Sequence, residues 1–396
     1  MKILIHSNGP MVPSGYGQQT RLLIPRLTAM GHEVAVSAFY GLSGAPIKWE
    51  GCTVFPAGQQ EYGVDVLVPH ALTWGSDLVL TLMDFWKLLP CAQDLAGLNV
   101  AAWLPNDCTP LGRGDRQALA ASQATPIAMS RFGQKQLQDA GYGDAAYVPH
   151  AVDRAVFSPP EDRSKLRQEL GVDDRFIIGI CAANHDALRK AWPEQFAAFA
   201  KFHKHHKDTL LMVHSTAHSP VGFNLMELAR DMGITDAVMM SDEYAQKSGL
   251  MVPEMMAAWY GSLDMLSLCS YAEAFGVPLI EAQACGTPVI VTKGSAMTEL
   301  SQPAWQVKGQ PFWNPVHHAW WTRPNVDDIA KRYEQAYQRS AAVTAKWRSE
   351  AAKFAASYDA DTVANQYWKP VLDSFELMPK MTQVLTLSRP KISLNT

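Results

Sequence analysis

The sequence predicts an α/β protein of two successive doubly wound, Rossmann-like domains facing across a cleft. Three observations point there. The 396 residues exceed one ordinary core and suit two domains. Short apolar runs alternate with longer amphipathic stretches from end to end. The runs are apolar on both faces, as expected where helices cover both sides of a parallel sheet.

In chain order, residues 2–7, 33–39, 77–83, 99–104 and 126–129 read as strands of the first domain, the last followed by a helix opened by Ser130. Residues 176–183, 209–214, 237–241, 264–269 and 288–292 repeat the pattern in the second. Helical periodicity covers 18–30, 193–206 and 253–260 between them, then 326–337, 341–358 and 363–376, with a tail from Met381. Pro159-Pro160 and their polar neighbours mark a junction at 152–160, before a fresh helix at 164–170. The expected organisation is a domain over 1–155, a second over 156–362, and a helix and tail over 363–396 packing back on the first.

Composition removes several function classes. Hydrophobic residues make up 47% and charged residues 18%, the balance of a soluble globular protein. A net charge of −4 gives no support for nucleic-acid binding. No apolar run approaches the roughly 18 residues of a membrane helix. The apolar part of the first six residues is too short for a signal peptide, so the expected compartment is the cytoplasm, with peripheral membrane contact left open. Six cysteines without a Cys-x-x-Cys pair argue against a disulfide framework or structural zinc. His203-Lys204-His205-His206-Lys207 reads as a solvated helix end lacking a carboxylate partner, not a metal site.

The informative segment is 271–291, YAEAFGVPLIEAQACGTPVIV. A strand ends at 269, a loop covers 270–276, and a helix follows at 278–285 with Gly286 as its exit. Pro278 suits a first turn, because it lacks a donor that would go unpaired there. Gly276 lets a ligand approach the helix start, whose free N–H groups and partial positive charge favour an anion. Glu273 and Glu281 flank that position. A carboxylate repels phosphate but accepts two hydrogen bonds from neighbouring hydroxyls, so the pair suggests a sugar-bearing diphosphate. A capped helix with two surface acids is the plainer alternative.

These residues resemble the Glu-x7-Glu signature of retaining, family-4-type (group 1) glycosyltransferases with the GT-B fold, whose run is close to E-G-F-G-L-P-x-x-E-A-x-A-x-G-x-P-V. Glu273-Ala274-Phe275-Gly276-Val277-Pro278 and Glu281 through Val289 match at nearly every informative place. The resemblance implies that Glu281 binds ribose hydroxyls, that Glu273 binds the transferred sugar, and that amides near Phe275, Gly276 and Val277 touch sugar or phosphate. Glu299 matches a more loosely kept acid. Lys190 matches the diphosphate-gripping Lys; the family's Arg six residues earlier is here Asn184, and Arg189 stands beside Lys190 instead. Gly15, Tyr16 and Gly17 lie in a loop resembling the family's Gly-rich loop, which closes on donor and acceptor. They lack the Gly-x-Gly-x-x-Gly spacing of a dinucleotide fingerprint.

On the acceptor side Asp84 and Asp107 follow strands, where cleft residues belong; many relatives carry a His near Asp107. His150 reads as structural. Ser241-Asp242-Glu243 fall where relatives contact the base, leaving UDP or GDP open. The expected activity is hexosyl transfer from a UDP-sugar or GDP-sugar to an unidentified hydroxyl acceptor, with catalytic roles for Lys190, Arg189, Glu273 and Asp107. The acceptor could be a lipid, glycan, protein, small metabolite or modified nucleic acid. With no Asp-x-Asp motif, neither metal nor cofactor is expected. A GT-B epimerase or phosphorylase, or a non-catalytic sugar-nucleotide-binding module, stands as the alternative.

Overall fold

The computed structural model describes residues 1–172 and 174–376. The tail from Met381 lies outside them. Two parallel sheets organise the chain. The first contains β1 (Lys2–Asn8), β2 (Glu33–Tyr40), β3 (Ile47–Trp49), β4 (Cys52–Phe55), β5 (Leu78–Leu82), β6 (Val100–Leu104), β7 (Thr125–Ala128) and β8 (Ala146–Tyr147). Their order is β3-β4-β2-β1-β5-β6-β7-β8, with only β3 antiparallel to its neighbour. The second contains β9 (Phe176–Cys181), β10 (Thr209–His214), β11 (Val238–Met240), β12 (Met265–Leu268), β13 (Val289–Thr292) and β14 (Ala304–Val307), ordered β11-β10-β9-β12-β13-β14. A separate antiparallel hairpin joins β15 (Gly309–Asn314) to β16 (Ala319–Pro324).

The central strands β1, β5, β6, β9, β10, β12 and β13 are buried almost throughout. Their Ile, Leu and Val runs pack on both faces against helices, which is why the sequence read as unbroken apolar segments. In each sheet the strand order reverses direction once near the middle. The reversal falls between β1 and β5 in the first sheet and between β9 and β12 in the second. Loops leaving the carboxyl ends of those strands diverge and open a crevice, the usual ligand position in such sheets. The loops after β9 and β12 carry 182–191 and 269–276, singled out from sequence; the loop after β1 is 9–14, and Gly15, Tyr16 and Gly17, read from sequence as loop, form the first turn of the helix Gly15–Ala29.

An aromatic chain crosses between the sheets. His150 lies edge-on to Trp103 (4.5 Å) and to Phe275 (5.1 Å), and Trp103 meets Trp368 at 4.8 Å. Trp103 also donates from Nε1 to the Val148 carbonyl. Burial lowers the His150 imidazole to about 3, so it sits neutral in this stack. Trp368 precedes the last described helix, Lys369–Glu376, which returns to the first domain and places Glu376 3.9 Å from the Met1 ammonium.

One expectation is corrected here. The histidines at the end of the helix Trp192–His203 and just beyond it are not simply solvated. His206 contacts the Glu334 carboxylate at 2.7 Å and packs on Phe202 and Tyr337, while His203 bonds Thr209. The carboxylate comes from the helix Val326–Tyr337, over a hundred residues later, out of reach of local reading. Among the described residues no His, Cys, Asp or Glu group has metal-site geometry, and no helix is long and apolar enough to cross a membrane.

Candidate active site at the switch point of the second sheet

The helix Val277–Ala284 starts at Gly276, which adopts φ 97° and ψ 63°. A Cβ there would be strained by φ and would press on Leu268 and Leu279 at 3.2 Å. No side chain caps this end, so its first-turn dipole faces the crevice uncompensated. Gly286 takes φ 73° at the other end and lets the chain turn into β13.

Just before the helix, buried Glu273 gathers the cations. Lys190 Nζ reaches Oε1 at 2.5 Å, Arg189 Nη1 reaches Oε2 at 3.0 Å, and the Ser270 hydroxyl donates to Oε1 at 2.6 Å. Burial alone would raise this carboxyl; Lys190 and Arg189 overcome it and hold Glu273 below the ordinary carboxylate range. The two loops are joined by their backbones as well, since Tyr271 N donates to Arg189 O at 2.7 Å. Asp186 Oδ1 accepts from the Leu188 and Arg189 amides and shapes the loop. Arg189 thus reaches the cluster from the place adjoining Lys190.

Asn184, expected to touch the donor, spends its amide elsewhere. Nδ2 donates to the Thr216 and Phe223 carbonyls, and Oδ1 accepts from Phe223 N. It pins the 216–223 loop. Position 184 follows β9 as the family's Arg does, but an amide matches backbone groups and is captured by them.

Glu281 is buried in the same helix. Tyr260 donates to Oε2 at 2.8 Å and is its one hydrogen-bond partner among the described residues. Burial raises the carboxyl to about 7, with the tyrosine acting to lower it. Glu299 points across the cleft, where its two oxygens accept from Arg131 N (2.6 Å) and Phe132 N (2.9 Å) at the start of the helix Arg131–Asp139. It joins the domains rather than standing free for a donor. Ser241 bonds His214, Asp242 caps the helix Glu243–Lys247, and Glu243 accepts from Ala217 N.

The opposite wall comes from the first domain. Ser14 caps the helix Gly15–Ala29 by accepting from Gly17 N. A Cβ on Gly17 would lie 2.3 Å from the Val12 carbonyl, so only glycine permits this turn. Tyr16 faces Asp84, Arg189 and Asp107, and burial lifts its phenol well above the usual value. Asp107 and Asp84 are both raised by enclosure and drawn back by Arg189 and His317. Asp115, absent from the sequence reading, joins them; burial and Asp84 lift it to about 7 while Trp86 N donates to it.

A second feature missed from sequence is the β15–β16 hairpin, which bridges the cleft. It holds its own domain through Thr322 N to Tyr271 O and Arg323 to Glu194. It holds the other through paired backbone bonds between Thr109 and Trp320, Arg113 N to His317 O, and Trp321 Nε1 to Asp107 at 3.1 Å. Its only local sequence signal is the run of aromatics at 312–313 and 320–321.

This frame of two Rossmann-like domains, with cations and carboxylates at the switch point, is that of GT-B proteins. Solved structures of similar shape include sucrose-phosphate synthase from Thermosynechococcus elongatus (TM-score 0.72, 17% identity, 96% of this chain and all of that one). Another is Anabaena Alr3699/HepE in complex with UDP-glucose (TM-score 0.70, 19% identity, 94% of this chain and all of that one). At these identities the likeness concerns the fold. Residues 180–353 match the family model of glycosyl transferases group 1. Curated relatives include D-inositol 3-phosphate glycosyltransferases. That of Pseudarthrobacter chlorophenolicus is 30% identical over 230 residues, 56% of this chain and 51% of the relative. That of Catenulispora acidiphila is 28% identical over 294 residues, 70% and 68% of the two. The chain spans about half the length of the first of these.

Proposed function

We propose that the protein transfers a hexosyl unit from a nucleoside diphosphate sugar, UDP- or GDP-linked, to a hydroxyl acceptor with retention of anomeric configuration. One observation carries this: buried Glu273 holds Arg189 and Lys190 beside the uncapped start of the helix Val277–Ala284. Two cations and a helix dipole converge where a diphosphate would sit, and a carboxylate stands ready for sugar hydroxyls. Glu281, with one protein partner, is left to accept from the ribose.

The anomeric C–O bond to the diphosphate breaks and the acceptor oxygen bonds the same carbon. The acceptor proton passes to the departing phosphate on that face. Charge grows on the leaving group, and Lys190, Arg189 and the helix end stabilise it. No side chain is assigned as a nucleophile, and no metal is assigned a role. The wall of Tyr16, Asp84, Asp107 and Asp115 receives the acceptor, with the hairpin excluding water. The UDP-glucose complex of the fold neighbour supports the donor class, and the relatives' printed activity supports glycosyl transfer.

The test is product analysis with labelled UDP- and GDP-hexoses, with and without a panel of hydroxyl acceptors. Acceptor-dependent glycoside with the donor's anomeric configuration is expected. A rearranged nucleotide sugar from donor alone would assign an epimerase; binding without turnover would leave a binding module.

A further inference from the structure

At the far end of the helix Val277–Ala284, about 12 Å from its donor-facing start, a groove of about 490 Å³ lies between the interdomain linker and the helix Ala341–Ala355. It is lined by Arg154 and Pro159 of the linker, Gly286, and Arg348, Ala352 and Lys353 of the long helix. Three cations share it, and among the described residues no carboxylate lines it.

Their partners show how much charge is unspent. Arg348 donates three of its five hydrogens to the Leu263, Gly261 and Cys285 carbonyls, and among the described residues it has no ion-pair partner. Burial lowers its guanidinium to about 10 and Arg163 adds to that, against Asp264. Asp264 is itself shared by Arg163 and Arg167. Arg154 Nε is buried without a hydrogen bond, and neither Arg154 nor Lys353 has an ion-pair partner among the described residues. Two helix C-termini end nearby, each worth about half a negative charge. Together they offset about one of the three cations, so the groove stays strongly positive.

We infer that this groove binds the phosphate of a small phosphomonoester, separately from the donor site. Arg154 and Lys353 supply charge-assisted donors to the phosphate oxygens. Pro159, Ala352 and Ala356 offer an apolar floor for a carbon skeleton. The volume fits a small-molecule site and exceeds the need of a lone phosphate. Arg154 follows Val152, whose backbone bridges Asp359, so a bound phosphate would tie the linker to the second domain.

The experiment is calorimetric titration of glucose 6-phosphate and of inorganic phosphate into the full chain, into Lys190→Ala, and into Arg154→Gln/Lys353→Gln. Glucose 6-phosphate should bind the wild type and Lys190→Ala alike, and the double variant at least about tenfold more weakly. Inorganic phosphate should bind more weakly than the ester. Arg154→Lys/Lys353→Arg should recover most of the affinity, and unchanged melting would show that the Gln variant folds. The inference is overturned by no binding up to about 10 mM or by equal binding to the double variant. Loss of binding in Lys190→Ala, or equal affinity for phosphate and ester, would also overturn it.

Discussion

Glu281 and Glu273 lie eight positions apart around one helix start, yet burial leaves them in opposite states. Glu273 has two cations within 3.0 Å and stays ionised. Glu281 has a tyrosine hydroxyl and is raised to about 7. Its raised carboxyl therefore penalises the folded chain as pH climbs from the ordinary carboxylate range through 7. The proposed ribose contact has the opposite sign, because only the ionised form accepts from both hydroxyls. Donor affinity should rise roughly tenfold, about 1.4 kcal/mol, between pH 6 and 8. In Glu281→Gln that pH dependence should vanish, and in Tyr260→Phe the profile should move to higher pH. Calorimetry with UDP or GDP across that range measures it; a flat wild-type profile would contradict the ribose role.

Among elements, the hairpin Gly309–Asn314 to Ala319–Pro324 shows where sequence reading stops. The central strands were legible because burial on both faces imposes unbroken apolar runs, and the candidate site was legible because Glu273 and Glu281 sit at fixed offsets from Gly276, Pro278, Gly286 and Pro288. The hairpin has Pro311 and Pro324 within its strands and aromatics on both faces, so no period of two emerges. Contacts with Asp107, Thr109 and Arg113, about 200 residues away, hold it in place. Asn184 illustrates the same limit at a site position, since only the fold reveals that Phe223 claims its amide. Trp321→Phe keeps the ring packing and removes the bond to Asp107, a charged partner worth about 1.5–3 kcal/mol. Amide exchange in 309–324 and at Thr109 should then quicken at least about tenfold while β9, β12 and β13 stay protected. Unchanged exchange in the hairpin would show that Trp321 does not anchor it.

At the scale of the whole molecule, two sheets meet with their switch points facing, and each contributes what the other lacks. The second brings cations, a helix start and two glutamates; the first brings Tyr16, three aspartates and a glycine-tight turn. Glu299, the hairpin and the His150 stack join them. The central claim is that this meeting point holds a nucleoside diphosphate sugar through Lys190 and Glu281. Lys190→Ala is a fair probe, because Arg189 still pairs Glu273 and spares the fold the roughly 3–5 kcal/mol of a buried charge left alone. The direct measurement is calorimetric binding of UDP- and GDP-sugars to the wild type, Lys190→Ala and Glu281→Ala. One nucleotide class should bind the wild type, and each folded variant should bind it at least about tenfold more weakly. Wild-type affinity in both variants, or no binding of either class, would contradict the account.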